Sequence, residues 1–347
     1  MTKNSFNRRP LKLVCSLAVV TALVMMVPST ALAVPHRGPD FSGVNAITSN
    51  GTYVWVANVD RNTVIQLDVK SGVIDKTIST PDTFEPENIV YGDSALWLVV
   101  WIDDGNVPAV AELNPSNDAL IRVFASKADD FNEPFGFGFY DGNVWITNQA
   151  GNSITIVNAK KGSIVRVISA KRDGLHDPKG IAFANGWAWV TNVLGNSITV
   201  LNARTGALVK VINSKVDSFQ HPYSIVTADG HVWAANGAAN PGSITELNAK
   251  NGSLVKVINS AQDKLYGCIG MILDHGDLWI TNSFGNSLTE LSASSGDLIR
   301  TTKATTGGLD NPGPIAAGGT WLWVLNLTSD SVSEFQASDG VPVRTIK

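Results

Sequence analysis

An all-β fold, a seven-bladed β-propeller with four antiparallel strands per blade and no strand swapped across its seam, is predicted by three observations. First, short alternating apolar runs are divided by Asn-Gly, Leu-Gly-Asn and Arg-Thr-Gly punctuation. Residues 180–212, GIAFANGWAWVTNVLGNSITVLNARTGALVKVI, hold four such runs in succession, a meander of four strands. Second, tryptophan returns at 55, 97, 145, 189, 233, 279 and 323, with gaps of 42 to 48 residues. Third, a large apolar residue stands eight positions before each Trp (Ile47, Ile89, Phe137, Ile181, Ile225, Met271, Ile315), and another stands twelve after five of them (Leu67, Val157, Leu201, Leu291, Phe335). A single sheet of this kind has two apolar faces and cannot bury both alone, whereas seven sheets stacked about an axis bury each against its neighbours. The tryptophans are accordingly read as packing between blades.

Taken from its start, the chain opens with an export signal over residues 1–33. Arg8, Arg9 and Lys12 form a basic front, Leu13 to Val27 a hydrophobic middle, and Ala31-Leu32-Ala33 a small-x-small cleavage site. The Arg8-Arg9 pair suits a twin-arginine route and the greasy run suits ordinary secretion, so both stay open. The expected location is secreted or periplasmic after cleavage behind Ala33, and the apolar run is too short to be a retained membrane span. Cleavage leaves 22 Lys and Arg against 30 Asp and Glu, a net charge of −8, which argues against nucleic acid and anionic membranes as partners. It also leaves Cys268 as the one cysteine, so no intrachain disulfide and no cysteine metal cluster can form. Stability rests on burial, and a monomer is expected.

Residues 34–40 read as a short linker and residues 41–347 as a single propeller. Blade 1 starts at its inner strand near Gly43, and blade 7 ends with its outer strand, Val341 to Ile346. No strand is left over to cross the seam, so side-chain packing must close the ring.

In a meander of strands A to D, the B–C loop and the D–A loop lie on one face, because the chain reverses at every turn. The length variation falls on that face. Blade 2 is extended between Trp101 and Pro108, a loop carrying Asp103 and Asp104, and blade 5 between Gly237 and Pro241, around Asn240. Insertions gathered on one face mark a binding surface. Six blades close strand B with Asn (58, 148, 192, 236, 282, 326), read as turn chemistry, an amide bonding the backbone, ahead of a polar ring facing a ligand. Blade 2 has Val100 there, which marks its loop as specialised.

Most D–A loops follow Asp-x-Phe/Leu-x-x-Pro, as in Asp129 to Pro134, Asp173 to Pro178 and Asp217 to Pro222, with a shortened Asp82 to Pro86. The residue just before the Pro position varies: Glu85, Glu133, Asp177, His221, Gly267, Asn311. Three carboxylates and an imidazole thus form an arc at the mouth of the axial channel, with His176 and Gln220 one step outward. Carboxylate oxygens suit hard cations, so Glu133, Asp177 and His221 are the candidate metal ligands for Mg or Ca, although no cofactor is required. His221 beside Asp177 could act as a base. The competing reading is a set of solvated loop charges. His231 and His275 fall in A–B loops on the opposite face.

The text WVTN followed by GNSITVLNARTGALVKVI resembles the YVTN-type propeller repeat, a relative of the NHL and streptogramin lyase-like propellers, across residues 41–347. The resemblance implies the fold and leaves activity open, because these repeats serve unrelated functions. Three readings follow. The first is a non-catalytic exported module that binds a protein, glycan or small-molecule ligand through the face just described. The second, implied by the resemblance, is a metal-dependent lyase similar to the streptogramin lyases, with His176, His221 and Glu133 as catalytic groups; these blades end in WVTN where such enzymes tend to have WFTE-like text. The third is a calcium-dependent lactonase, which needs carboxylate and amide ligands inside the channel, whereas the inner strands carry small residues such as Gly136, Gly180 and Gly270. The sequence has no Cys-x-x-Cys-His, no Gly-rich phosphate loop and no Gly-x-Ser-x-Gly elbow.

Overall fold

Seven four-stranded sheets, each made of four consecutive strands, form the ring seen in a computed structural model of the protein. It describes residues 41–81, 84–102, 107–125, 131–169, 174–213, 219–237, 242–259, 265–303 and 308–347. The expected signal at 1–33 and linker at 34–40 lie outside the described residues, as do Asp103, Asp104, Asn240 and the loop aspartates 82, 129, 173 and 217. Among the described residues no helix is long and apolar enough to cross a membrane.

Blade 1 comprises β1 (Val44–Ser49), β2 (Tyr53–Asn58), β3 (Thr63–Asp68) and β4 (Ile74–Ser79), and blade 7 runs from β25 (Pro312–Gly318) through β26 (Trp321–Asn326) and β27 (Ser331–Gln336) to β28 (Pro342–Ile346). Each blade pairs its strands in chain order, so no strand crosses the seam. Blade 7 instead packs Trp323, Leu325 and Val332 against Ile47, Val54 and Ile65 of blade 1.

All seven repeat tryptophans are at most 1% exposed, and each sits in a cluster with the next blade, as Trp145 does with Ile181 and Val190. Removing a side chain of this size from such a place costs about 3–5 kcal/mol. The expectation of Trp between blades therefore holds. Opposite each Trp on strand C stands a polar or apolar partner set by the ladder register: Gln66, Glu112, Ile156, Val200, Glu246, Glu290 and Glu334. Opposite each of those on strand D stands a Lys or Arg, for example Arg122 and Arg300, whose Nε atoms lie 2.8 and 2.6 Å from Glu112 and Glu290.

The small residues of the inner strands have a packing reason. In blade 3 the Gly136 amide donates to Thr147 Oγ1 at 2.8 Å, and that hydroxyl donates to the Lys179 carbonyl of blade 4 at 2.8 Å. A Cβ on Gly136 would stand 2.0 Å from that same carbonyl oxygen. Thr191 and Thr281 repeat the device toward Tyr223 and Gly313, at 3.0 and 2.7 Å. Glycine lets adjacent inner strands approach closely enough to be stapled.

Candidate functional site

The inner strands β5 (Glu85–Gly92), β9 (Pro134–Tyr140), β13 (Pro178–Ala184), β17 (Pro222–Ala228) and β21 (Cys268–Asp274), with β1 and β25, surround the axial channel. The residue that leads into each of them decides what the channel mouth presents. Gly43, Glu133, Asp177, His221, Gly267 and Asn311 all have left-handed backbone, with φ between 50° and 77°. Their carbonyls accept amides from just past the strand-B end of the same blade: Gln149 to Glu133 at 2.8 Å, Val193 to Asp177 at 3.0 Å, Gly237 to His221 at 3.2 Å. Their own amides are held by the blade before: Asp177 by Asn152 Oδ1 at 2.7 Å, His221 by Asn196 Oδ1 at 2.8 Å, Asn311 by Asn286 Oδ1 at 2.7 Å. Gly, Asn, Asp and His are the types that tolerate this backbone, so part of the variation at the position reflects conformation. Glu133 is the unusual member. Glu85 differs again: it lies within β5, opposite Trp101 of β6 (Ala95–Ile102).

Glu133, His176 and Asp177 come together around one shallow depression of about 420 Å³, which Gln149, Asn152 and Leu194 complete. Gln149 Nε2 donates to Glu133 Oε2 at 3.2 Å. His221 lies one blade on and does not line it, while Gln220 and His176 are exposed. Among the described residues no three His, Cys, Asp or Glu side chains are spaced to hold one metal ion.

The blade 2 hairpin departs from its expected form. Its first and last residues are ladder, not loop: Trp101 pairs with Pro108 and Ile102 with Val107, so β6 and β7 (Val107–Leu113) rise as a ribbon at the mouth. Trp101 is half-buried, and its Nε1 is sequestered without a hydrogen-bond partner among the described residues.

Three of the asparagines that close strand B accept backbone amides, as the sequence suggests (Arg61 to Asn58, His176 to Asn192, Asp310 to Asn326), and five of the six also donate to strand C side chains. All six are fully buried. Asn192 Nδ2 donates to Ser197 Oγ at 3.1 Å and Thr199 Oγ1 at 2.9 Å, and its Oδ1 accepts the His176 amide at 3.2 Å. Blade 2 substitutes the whole set, with Val100 facing Ala109 and Ala111 in a buried apolar cluster. Exchanging both sides of a buried polar contact for apolar groups of similar shape is nearly neutral, so Val100 is explained by packing.

The residues that line the channel stand two positions beyond the column that varies before the Pro. The residue after the Pro position, Asn45, Glu87, Phe135, Lys179, Tyr223 and Ile269, lines a cavity of about 440 Å³ in the channel. Lys179 Nζ lies 4.5 Å from the Phe135 ring centre and 4.6 Å from that of Tyr223. The two rings meet edge to face at 5.7 Å. Burial pulls the Lys179 ammonium down from its usual range, opposed by the charges of Asp177 and Glu133. Burial and the Asp177 charge push the Tyr223 hydroxyl up to about 12. The signal was present as a second variable column, hidden because these residues share no chemical type.

No protein-family model and no curated protein matches the chain. Solved structures do. A chain of hydrazine synthase from Kuenenia stuttgartiensis is similar at TM-score 0.69 and 13% identity, over 89% of this chain and 99% of that one. A chain of a mitotic checkpoint complex gives TM-score 0.68 at 14% identity, over 92% and 99%. BamB from Moraxella catarrhalis gives 0.55 at 12% identity, over 89% and 85%. At such identities the likeness establishes the fold, and the protein is a seven-bladed β-propeller.

Proposed function

We propose that the protein is an exported interaction module that docks a partner protein on the face formed by its B–C and D–A loops. The size of the apolar side chains at the B–C hairpin tips carries the reading, a leucine and a phenylalanine there against the smaller Val73 and Val341, 61% and 50% exposed, at C–D hairpins of the other face. On the B–C side, Leu194 and Phe284 stand 58% and 72% exposed at hairpin tips. The Trp101–Ile102 ribbon rises from the same side. The A–B side turns on polar pairs, Asp141-Gly142, Asn185-Gly186, Asp229-Gly230 and His275-Gly276. Large exposed apolar side chains rimmed by polar ones mark protein contact surfaces. The fold commonly serves this way, and one solved neighbour belongs to a mitotic checkpoint complex.

The test is capture of partners from the exported fraction by the protein carrying a photoreactive crosslinker beside Phe284. Adducts should form there and vanish in Leu194→Ser/Phe284→Ser, while a crosslinker beside His275 yields none. Adducts that survive the double substitution would sink the docking face. A second reading, metal-dependent lyase chemistry, draws on the grouping of Glu133, His176 and Asp177 at one depression. A magnesium or calcium titration separates the two, because an ion bound only by the folded state raises the melting temperature. The docking reading expects no shift beyond a degree or so.

A further inference from the structure

The channel holds two opposite charges that leave each other alone. Its volume of about 440 Å³ lies inside the range of small-molecule sites, roughly 300–1,000 Å³. Among the side chains that line it, Glu87 is the one carboxylate and Lys179 the one cation. Among the described residues no ion pair joins them. They stand on blades 2 and 4 with Phe135 of blade 3 between, and Glu87 is exposed. Lys179 is not free to swing across, since Phe135 and Tyr223 hold its head and Thr147 pins its carbonyl at 2.8 Å. The opposite wall is apolar: Ile269, Met271, Ile315 and Leu327.

A guest with one charge would satisfy one of these groups and leave the other facing it. The mouth selects further. Glu133 and Asp177 act on Lys179 from the rim, and their negative charge disfavours a plain anion. A plain cation would meet Lys179. A neutral dipolar guest answers both.

We infer that the channel binds a small zwitterion of amino-acid or dipeptide size, with its carboxylate on Lys179 Nζ, its ammonium on Glu87 and an apolar side chain against the Ile269–Met271 wall. The aromatic pair around Lys179 fixes the anion-binding head, and the apolar wall gives preference for a hydrophobic side chain. This site stands on the channel lining and the charge of Glu133 and Asp177 at its rim, and uses none of the exposed apolar side chains of the docking face.

Calorimetric titration of the purified protein with four probes tests it: phenylalanine, alanyl-phenylalanine, N-acetylphenylalanine and phenylalanine amide. One or both zwitterions should bind, and whichever is tighter reports the spacing of the two charges. The acetylated and amidated forms, each with a single charge, should bind at least tenfold more weakly. Glu87→Gln, at an exposed position, should weaken zwitterion binding at least tenfold without changing the melting temperature, and Lys179→Met should do the same. Leu194→Ser/Phe284→Ser should leave binding unchanged, which separates this site from the docking face. Equal affinity for N-acetylphenylalanine and phenylalanine, or indifference to Glu87→Gln, would make this an anion site and overturn the inference. Absence of heat with every probe at millimolar concentration would overturn it too.

Discussion

Asp330 Oδ1 accepts the amide of Gly43 at 3.1 Å, joining residues 287 apart in the chain. The bond is the copy, at the junction of blades 7 and 1, of those that Asn152, Asn196 and Asn286 make to Asp177, His221 and Asn311, each 25 residues on. The ring is thus closed by the same contact that joins blades 3 and 4, 4 and 5, and 6 and 7. Asp330→Ala should cost about 1 kcal/mol, the usual worth of one such bond. Urea unfolding should show this loss, and hydrogen exchange at the Gly43 amide should quicken.

The buried asparagine network can be taken apart in two ways. Asn148 Nδ2 donates to Ser153 Oγ at 3.1 Å and Thr155 Oγ1 at 3.0 Å, all of them buried. Asn148→Val alone removes both of these buried bonds and should cost about 2 kcal/mol. Adding Ser153→Ala and Thr155→Ala, which copies Val100, Ala109 and Ala111 of blade 2, should restore most of that loss in urea unfolding.

Two glycines of one blade should respond differently to alanine. Gly142, with φ of 69° and nothing within 4 Å of an added Cβ, should cost about 1 kcal/mol from backbone conformation. Gly136→Ala drives its Cβ into the Lys179 carbonyl and should cost more than about 3 kcal/mol or prevent folding. Thermal melts of the two variants decide it.

Glu290 gives the fold a pH dependence. Burial raises its carboxyl to about 7 against the pull of Arg300, from an ordinary value of 4.5. The folded state therefore holds the proton more tightly than the unfolded chain. Its stabilising contribution is complete below about pH 4.5 and is lost as pH rises through about 7. Glu290→Gln, which reproduces the carboxamide of Gln66 that accepts the Trp55 indole at 2.8 Å, should raise the melting temperature at pH 8 and leave it unchanged at pH 4.5. Glu112 and Glu246 are raised by burial in the same way, so some slope will remain.

The blades were legible because burial repeats: one Trp per sheet at a fixed strand position must reappear wherever the next sheet has to cover it. The rim was half legible. Glu133, His176 and Asp177 do gather, as their place before the Pro suggests, but the left-handed backbone of Glu133 and Asp177 is invisible in side-chain identity. The channel lining was missed for a related reason. Glu87, Phe135, Lys179 and Tyr223 occupy equivalent positions, yet a column that varies from acid to aromatic to base carries no pattern until the strands are bent into a circle. Likewise the Trp–Glu–Arg ladders, such as Trp279, Glu290 and Arg300, are spread over three strands, and only the register aligns them.

Because each blade is complete within four successive strands, the gap between Lys347 and Phe41 falls at a joint between whole blades, held by the same bond as three of the others. Splicing those two ends together and opening the backbone at any other D–A connection should return the same disc. Circular permutants would then differ in where synthesis starts and in which blade must wait for its neighbour, while the finished molecule keeps no record of the cut.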